Sequence, residues 1–308
     1  MKRVVSVSLG ASSGDMRVEA EFLGEPFLIE REGTDGDLRR AIARIAALDG
    51  QVDAIGLGGI DLYLVAGERR YVVRQAAQMA AAARRTPVVD GSGLKQTLER
   101  ETIRRLQREG TLDFRGRRVL MVAAVDRFGM AEALVEAGAD VLFGDLIYGL
   151  GLPRPLRTLP TLHRLARLLL PVIRQLPIAW VYPTGKQQET RIARAPQYYH
   201  WAEVIAGDGH MIRRFLPDRM EGQTVITNTV RRDHLELLRQ CGIRRVITTT
   251  PEFDGQSFGT NVMEGVLLTL LRARGIEPTM DQYMATLAEL GWRPGMISLR
   301  DTAAGGGS

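Results

Sequence analysis

Cysteine, lysine and asparagine are nearly missing from this 308-residue chain. The single cysteine, Cys241, excludes an internal disulfide framework and any multi-cysteine zinc or iron–sulfur site. Lysine occurs at positions 2, 95 and 186 alone, so 38 of the 41 basic residues are arginine, and asparagine is confined to Asn228 and Asn261. Both scarce residues use adenine-rich codons, which points to a GC-rich genome. The proteome-wide mark of thermophily, by contrast, is enrichment in Lys and Glu. Long apolar runs are lacking too. The opening MKRVVSVSLGASSGD meets Gly10 and Asp15 before a secretory core can form. The stretch 159–180 is broken by Arg and Pro, so no membrane span is expected. The expected location is therefore the cytoplasm, and membrane contact is not expected.

Other absences narrow the chemistry. The net charge of +5 rests on scattered arginines with acids nearby, without a run of five, and aromatics are 6% of the chain. A solvated surface is expected, with no nucleic-acid partner. No G-x-S-x-G elbow is present, and Gly185-Lys186 lacks the spacing of a phosphate-binding P-loop. The four histidines (163, 200, 210 and 234) show no metal-ligand spacing, so no metal is expected. Among them His210 stands out, because it follows Gly207-Asp208-Gly209 at a predicted strand end.

What is present is an α/β rhythm. Hydrophobic residues make up 45% of the chain and charged residues 25%, the balance of a globular protein large enough for two domains. Residues 3–9 alternate as a strand, 17–23 and 26–31 read as a hairpin, and 37–48 as an amphipathic helix. Strands at 52–57 and 86–90 and helices at 72–84 and 95–109 complete an N-terminal α/β domain over 1–110. The loop Gly110–Gly116 marks the expected boundary. The near-continuous apolar run Arg117–Val125 is the first strand of a Rossmann-like parallel-sheet domain, 111–276. A helix at 129–137 and a strand at 140–143 follow it. Further strands at 204–206, 224–227 and 245–249 alternate with helices at 211–216, 232–240 and 259–274. Residues 277–301 carry a C-terminal helix (279–291) that packs back on the first domain, and 302–308 are a linker-like tail. The proline-punctuated segment 149–183 is expected to form broken helices.

In an open parallel sheet, ligands sit beyond the carboxyl ends of the strands. In the second domain, Val125 and Asp145 are 20 residues apart, the spacing of a dinucleotide fold's ribose-binding acid. The turn between is Asp126-Arg127-Phe128-Gly129, with one glycine instead of G-x-G-x-x-G, and Arg127 is the candidate phosphate contact. Asp126, Arg127, Gly129, Asp145, Asn228, Thr229, Thr249 and Thr250 form the expected cofactor set, with Arg154 and Arg157 as further anion holders. In the first domain, Gly91-Ser92-Gly93-Leu94-Lys95 places an ammonium at a strand-to-helix turn, near Asp61 or Asp90. Lys95 with Asp61 and Asp90 is the candidate catalytic set, a proton shuttle for a substrate hydroxyl. Lys186 is a second candidate lysine.

The strings VVSVSLG (4–10), GLGGIDLYLVAG (56–67), PVVDGSGLK (87–95), FGDLIYGLGLP (143–153) and ITTTPEFDGQSFGTNVMEG (247–265) run through nearly the whole chain. With them the sequence resembles a bacterial family that carries the name quinate 5-dehydrogenase. The resemblance implies a shikimate/quinate-dehydrogenase-like oxidoreductase: a substrate domain, a Rossmann domain binding NAD or NADP, and a small hydroxylated carboxylate as substrate. It also implies a Lys–Asp pair for the substrate proton, which Lys95 with Asp61 or Asp90 would supply. The flanking motifs, serine-rich substrate motif and glycine-rich cofactor loop of the better-known shikimate dehydrogenases have no counterpart here. A homodimer is a further expectation, separate from the resemblance. A non-catalytic metabolite-binding protein, and a transferase or lyase on an acidic or phosphorylated metabolite, are the rival readings.

Overall fold

A computed structural model describes residues 1–66, 69–176, 191–192, 194–228, 230, 232–250, 252–253 and 256–299. The elements run β1 (Lys2–Ser8), β2 (Met16–Phe22), β3 (Glu25–Gly33), α1 (Leu38–Leu48), β4 (Ala54–Gly58), β5 (Tyr63–Ala66), β6 (Arg69–Val72), α2 (Arg74–Ala80), β7 (Val88–Val89) and α3 (Ser92–Arg108). They continue with β8 (Arg118–Met121), α4 (Phe128–Glu136), β9 (Asp140–Phe143), a π-helical turn (Asp145–Gly149), α5 (Leu159–Ile173), α6 (Pro196–Trp201), β10 (Val204–Ala206), α7 (Gly209–Phe215), β11 (Thr224–Thr227), α8 (Arg232–Gln240) and β12 (Arg245–Thr248). The short pair β13 (Glu252–Phe253) and β14 (Gln256–Ser257), α9 (Thr260–Ala273), α10 (Met280–Glu289) and β15 (Gly295–Ser298) close the described chain.

The chain forms two compact units, each drawn from three stretches. The first is Met1–Leu98, His163–Thr190 and Pro251–Trp292; the second is Glu99–Leu162, Arg191–Thr250 and Arg293–Ser308. The fold class is α/β with parallel sheets, as the sequence rhythm implies. The division falls within α3, not at Gly110–Gly116. That loop is the end of α3 turning back on itself. Gln107 of the helix donates to Asp113 and accepts from the Phe114 N–H, and Phe114 is buried. Likewise α9, expected in the second domain, belongs to the first unit, together with α10.

In the first unit the sheet order is β2-β3-β1-β4-β7, parallel except for β2 at the edge. Alternation along β1 sends Val4, Ser6 and Ser8 to one face and Val5 and Val7 to the other, and all five are buried. Helix α9 lies on the first of these faces. A side chain at its Gly265 would meet Val4 Cγ1 at 2.8 Å, so the glycine permits the close approach. Leu94, Leu98, Val262, Val266, Leu267, Leu287 and Trp292 complete that core. Helix α1 starts at Asp37, whose carboxylate accepts from the N–H groups of Arg39 and Arg40. The hairpin β5–β6 occupies the stretch after Asp61, where the sequence pattern implies only a loop.

In the second unit the order is β9-β8-β10-β11-β12-β15, with β15 antiparallel and the rest parallel. The chain leaves β8 toward β9 on one side, and leaves β10 toward β11 on the other. The carboxyl ends of β8 and β10 therefore make the topological switch point of this sheet. The strand expected over Arg117–Val125 stops at Met121. Val122 still donates to Ala206 O of β10, and residues 123–127 then turn away as the Asp145 carboxyl takes the N–H groups of Ala124 and Val125. Helix α5 is continuous over 15 residues, with Pro171 inside it, where broken helices were expected. Among the described residues no helix is long and apolar enough to cross a membrane.

Candidate functional site

Each unit carries a candidate site at the carboxyl edge of its own sheet. In the first unit, β4 ends in Gly58-Gly59-Ile60-Asp61 and β7 in Asp90-Gly91, where α3 begins. Lys95, one turn into α3, places Nζ 3.3 Å from Asp61 Oδ2, with side chains 12% and 22% exposed. This is the lysine–carboxylate pair anticipated from the chain. Asp90 stands next to it but has a different task. One of its oxygens accepts from the N–H groups of Leu62 (2.6 Å) and Tyr63 (3.1 Å), and the other from the N–H and hydroxyl of Ser92. Asp90 thus fixes the loop that carries Asp61 and the start of the helix that carries Lys95.

A residue that sequence reasoning missed completes this edge. Glu264, on α9, is buried, and its carboxyl accepts from the Gly91 N–H at 2.7 Å. Burial pushes its pKa up to about 8, helped by the charge of Asp90 and opposed by the Gly91 and Gly93 N–H groups. Its Oε1 lies where a side chain at Gly93 would stand, so that position is closed to anything larger than glycine. At the start of α9, Asn261 Nδ2 donates to Ser6 Oγ at 2.7 Å, which seats the helix on β1. At the end of β3, Arg31 donates to Asp15, Ala11 O and Ser8 Oγ, placing a second cation at the carboxyl edge of this sheet.

In the second unit, Asp145 turns inward. Its Oδ1 accepts from the N–H groups of both Ala124 and Val125, each at 2.9 Å, where the chain turns away beyond β8. Its Oδ2 is buried without a hydrogen-bond partner among the described residues. Desolvation raises its pKa to about 6. The two N–H groups work against that rise, and the charge of Asp126 adds to it.

Arg127, expected to reach outward for phosphate, is a buried residue instead. Its guanidinium pairs with Glu99 of α3, with Asp208 at 3.0 Å and with Asp126 at 3.7 Å. Having bound three carboxylates inside the fold, it is not placed to hold a ligand anion. Asp208 serves twice, capping α7 through the N–H groups of His210 and Met211 while its other oxygen meets Arg127. The sequence signal for this network was Asp208-Gly209 before a helix, a capping pattern, but Glu99 gave none.

The remaining expectations divide. Gly129 is buried in the first turn of α4. Thr249 and Thr250 are buried, and their N–H groups extend the sheet to Thr227 O and Asn228 O. Asn228 accepts from the Thr227 hydroxyl at 3.1 Å. Arg154 and Arg157 are exposed. Thr229 and Lys186 lie outside the described residues. His210 is exposed, with its ring edge-on to the buried ring of His234 at 5.4 Å; Arg213 lies 3.1 Å from His234 Nε2.

A dinucleotide needs backbone donors for its diphosphate at the turn after β8. Here Ala124 and Val125 give theirs to Asp145, Arg127 is spent, and Asp126, Asp145, Asp208 and Glu99 surround the turn with negative charge. These residues do not fit a diphosphate.

A family model described as "Domain of unknown function (DUF8754)" matches residues 93–299, and a second, "Domain of unknown function (DUF8753)", matches residues 3–90. No curated protein matches the chain. Among solved structures, a glutamate dehydrogenase is 11% identical with a TM-score of 0.40, over 86% of this chain and 63% of that one. The hetero-hexameric glutamate dehydrogenase of Thermus thermophilus, in its leucine-bound form, is 14% identical with a TM-score of 0.40, over 94% and 73%. The NAD-dependent malic enzyme of Thermotoga maritima is 12% identical with a TM-score of 0.34, over 94% and 84%. This chain thus spans less than two thirds of the first glutamate dehydrogenase, and at such distances the fold is read from its own topology.

Proposed function

The chain belongs to the DUF8754 family, and from the geometry of its first unit we propose that it is an acid–base enzyme acting on a hydroxyl group of a small, hydroxylated carboxylate. The observation that carries this reading is the Lys95–Asp61 pair, 3.3 Å apart and largely shielded from solvent at a strand end. Asp61 orients the ammonium, and Lys95 is placed to pass a proton to and from the substrate hydroxyl. Lysine suits this where arginine does not, because a guanidinium does not release its proton near neutrality. Arg31 at the same sheet edge favours an anionic substrate.

The second reading is the one the sequence resemblance implies: an NAD- or NADP-dependent oxidoreductase on a quinate- or shikimate-like compound. What favours it is the parallel sheet of the second unit, with Asp145 just past its second strand in chain order. What opposes it is the poor fit of a diphosphate to the turn after β8, where the backbone donors and Arg127 are already engaged.

One experiment separates the two. Quinate and shikimate are incubated with the full chain, with and without NAD or NADP, while nicotinamide absorbance and the proton spectrum of the substrate are followed together. Conversion or proton exchange without a nicotinamide is the expected result. Lys95→Ala should lower it by about 100-fold or more, and Lys95→Arg should not restore it. Undiminished turnover in Lys95→Ala would remove the lysine from the chemistry, and turnover only with a nicotinamide would establish the second reading.

A further inference from the structure

Two turns in this chain have the form that proteins use to hold phosphate: the one after β8 in the second unit, and Gly91-Ser92-Gly93 after β7 in the first. Each is met by a carboxyl from a different element. Asp145, 20 and 21 residues along the chain, takes the N–H groups of Val125 and Ala124. Glu264, 173 residues away, takes the N–H of Gly91, with its other oxygen against Gly93. Both acids are buried.

We infer that these internal carboxyls stand in for the phosphate, so that both turns are closed to phosphate and diphosphate and the ligands of these two sheet edges are non-phosphorylated compounds. Three features of the molecule support this. First, an N–H already bonded to a buried carboxyl has no remaining hydrogen for a phosphate oxygen, so a phosphate must evict the acid. Second, each turn sets a neighbouring carboxylate against an arriving phosphate. Beside Asp145 stands the like charge of Asp126, and Arg127 of the same turn is already paired with Glu99, Asp126 and Asp208. Beside Glu264 stands Asp90, engaged with four donors of its own, and its effect outweighs that of the more weakly acting Arg70. Third, the space is taken as well. Gly93 owes its lack of a side chain to Glu264 Oε1, and Gly144, just before Asp145, has its Cβ position filled by the Tyr148 ring and Val122 O.

The inference narrows the substrate class of the proposed acid–base reaction, yet it is read from binding alone. It survives if Lys95 proves inert, and it can fail while Lys95 proves catalytic. It sets aside a phosphorylated metabolite as substrate, and it accounts for the absence of a glycine-rich fingerprint after β8.

The test is equilibrium binding of inorganic phosphate, inorganic pyrophosphate, NAD and NADP to the full chain by calorimetry, with amide resonances of residues 91, 93, 124 and 125 recorded in parallel. The wild type is expected to show no saturable binding at millimolar concentrations that moves those amides. Asp145→Ala and Glu264→Ala vacate the N–H groups, and each should gain pyrophosphate or phosphate affinity by at least about tenfold. Asp145→Asn and Glu264→Gln keep an acceptor oxygen in place and should stay as silent as the wild type. Dinucleotide binding that leaves the four amides unmoved lies elsewhere and agrees with the closure. Saturable wild-type binding that shifts them overturns it, and so do folded alanine variants that gain nothing. If an alanine variant does not fold, the wild-type titration decides alone.

Discussion

At the scale of single residues, the first unit's site is a packing problem as much as a chemical one. Gly93 has ordinary helical backbone geometry, so its glycine is required by Glu264 and not by conformation. Gly93→Ala should therefore destabilise the protein by about 1–3 kcal/mol, as overpacking of a dense site does. The loss should shrink by about 1 kcal/mol or more when Glu264→Ala is present, because the two residues share one space. Denaturant midpoints of the four proteins in this cycle are the check. Equal losses in both backgrounds would mean that Gly93 is constrained by something other than Glu264.

At the scale of elements, Asp208 joins two devices that are ordinarily separate. It caps α7, and it neutralises one side of Arg127, which is itself 2% exposed. A lost cap alone costs about 1 kcal/mol. An arginine left short of one partner in the interior adds to that. Asp208→Ala should therefore lower stability by more than about 2 kcal/mol, whereas Asp37→Ala, which removes only the cap of α1, should stay near 1. Chemical denaturation of the two variants side by side tests the difference. A similar element-scale effect shortens β8. The run Val122–Val125 is apolar enough for a strand, but the Asp145 carboxyl competes for the N–H groups of Ala124 and Val125 and wins, since a charged acceptor makes the stronger hydrogen bond.

At the scale of the whole molecule, two buried acids set a pH dependence. Asp145 keeps its proton up to about pH 6 against an ordinary 3.8, and Glu264 up to about 8 against 4.5. Folding takes up protons in those windows, so each group makes stability fall as pH rises: from about 4 to 6 for Asp145, and from about 4.5 to 8 for Glu264. The slope approaches about 1.4 kcal/mol per pH unit for each group within its window. Glu264→Gln should remove the decline between pH 6 and 8, where Asp145 is already ionised, and gain stability relative to wild type as pH increases. Thermal melts from pH 5 to 8.5 measure this, and a parallel decline in the variant would show that the acid does not drive it.

The sequence by itself determined many of the elements, though not the hairpin β5–β6, the unbroken α5 or the end of β8. Hydrophobic period, glycine punctuation and capping acids placed β1, β9, β10, β11 and α8 within a residue or so, because each of those signals acts over a few positions along the chain. The lysine at 95 and an acid at 61 were legible as well, since a lone lysine at a strand-to-helix turn needs no partner to be noticed. What only the tertiary structure decided was which acid meets which donor. Asp145 reads as an outward ligand for ribose and proves to close the turn behind it. Arg127 reads as a phosphate hand and proves to be buried among three carboxylates. Glu264, 173 residues from the N–H it accepts, left no trace in the string at all. The physical reason is that burial and hydrogen bonding across distant segments arise only once the chain has brought them together, and at that range neither spacing nor composition carries the information.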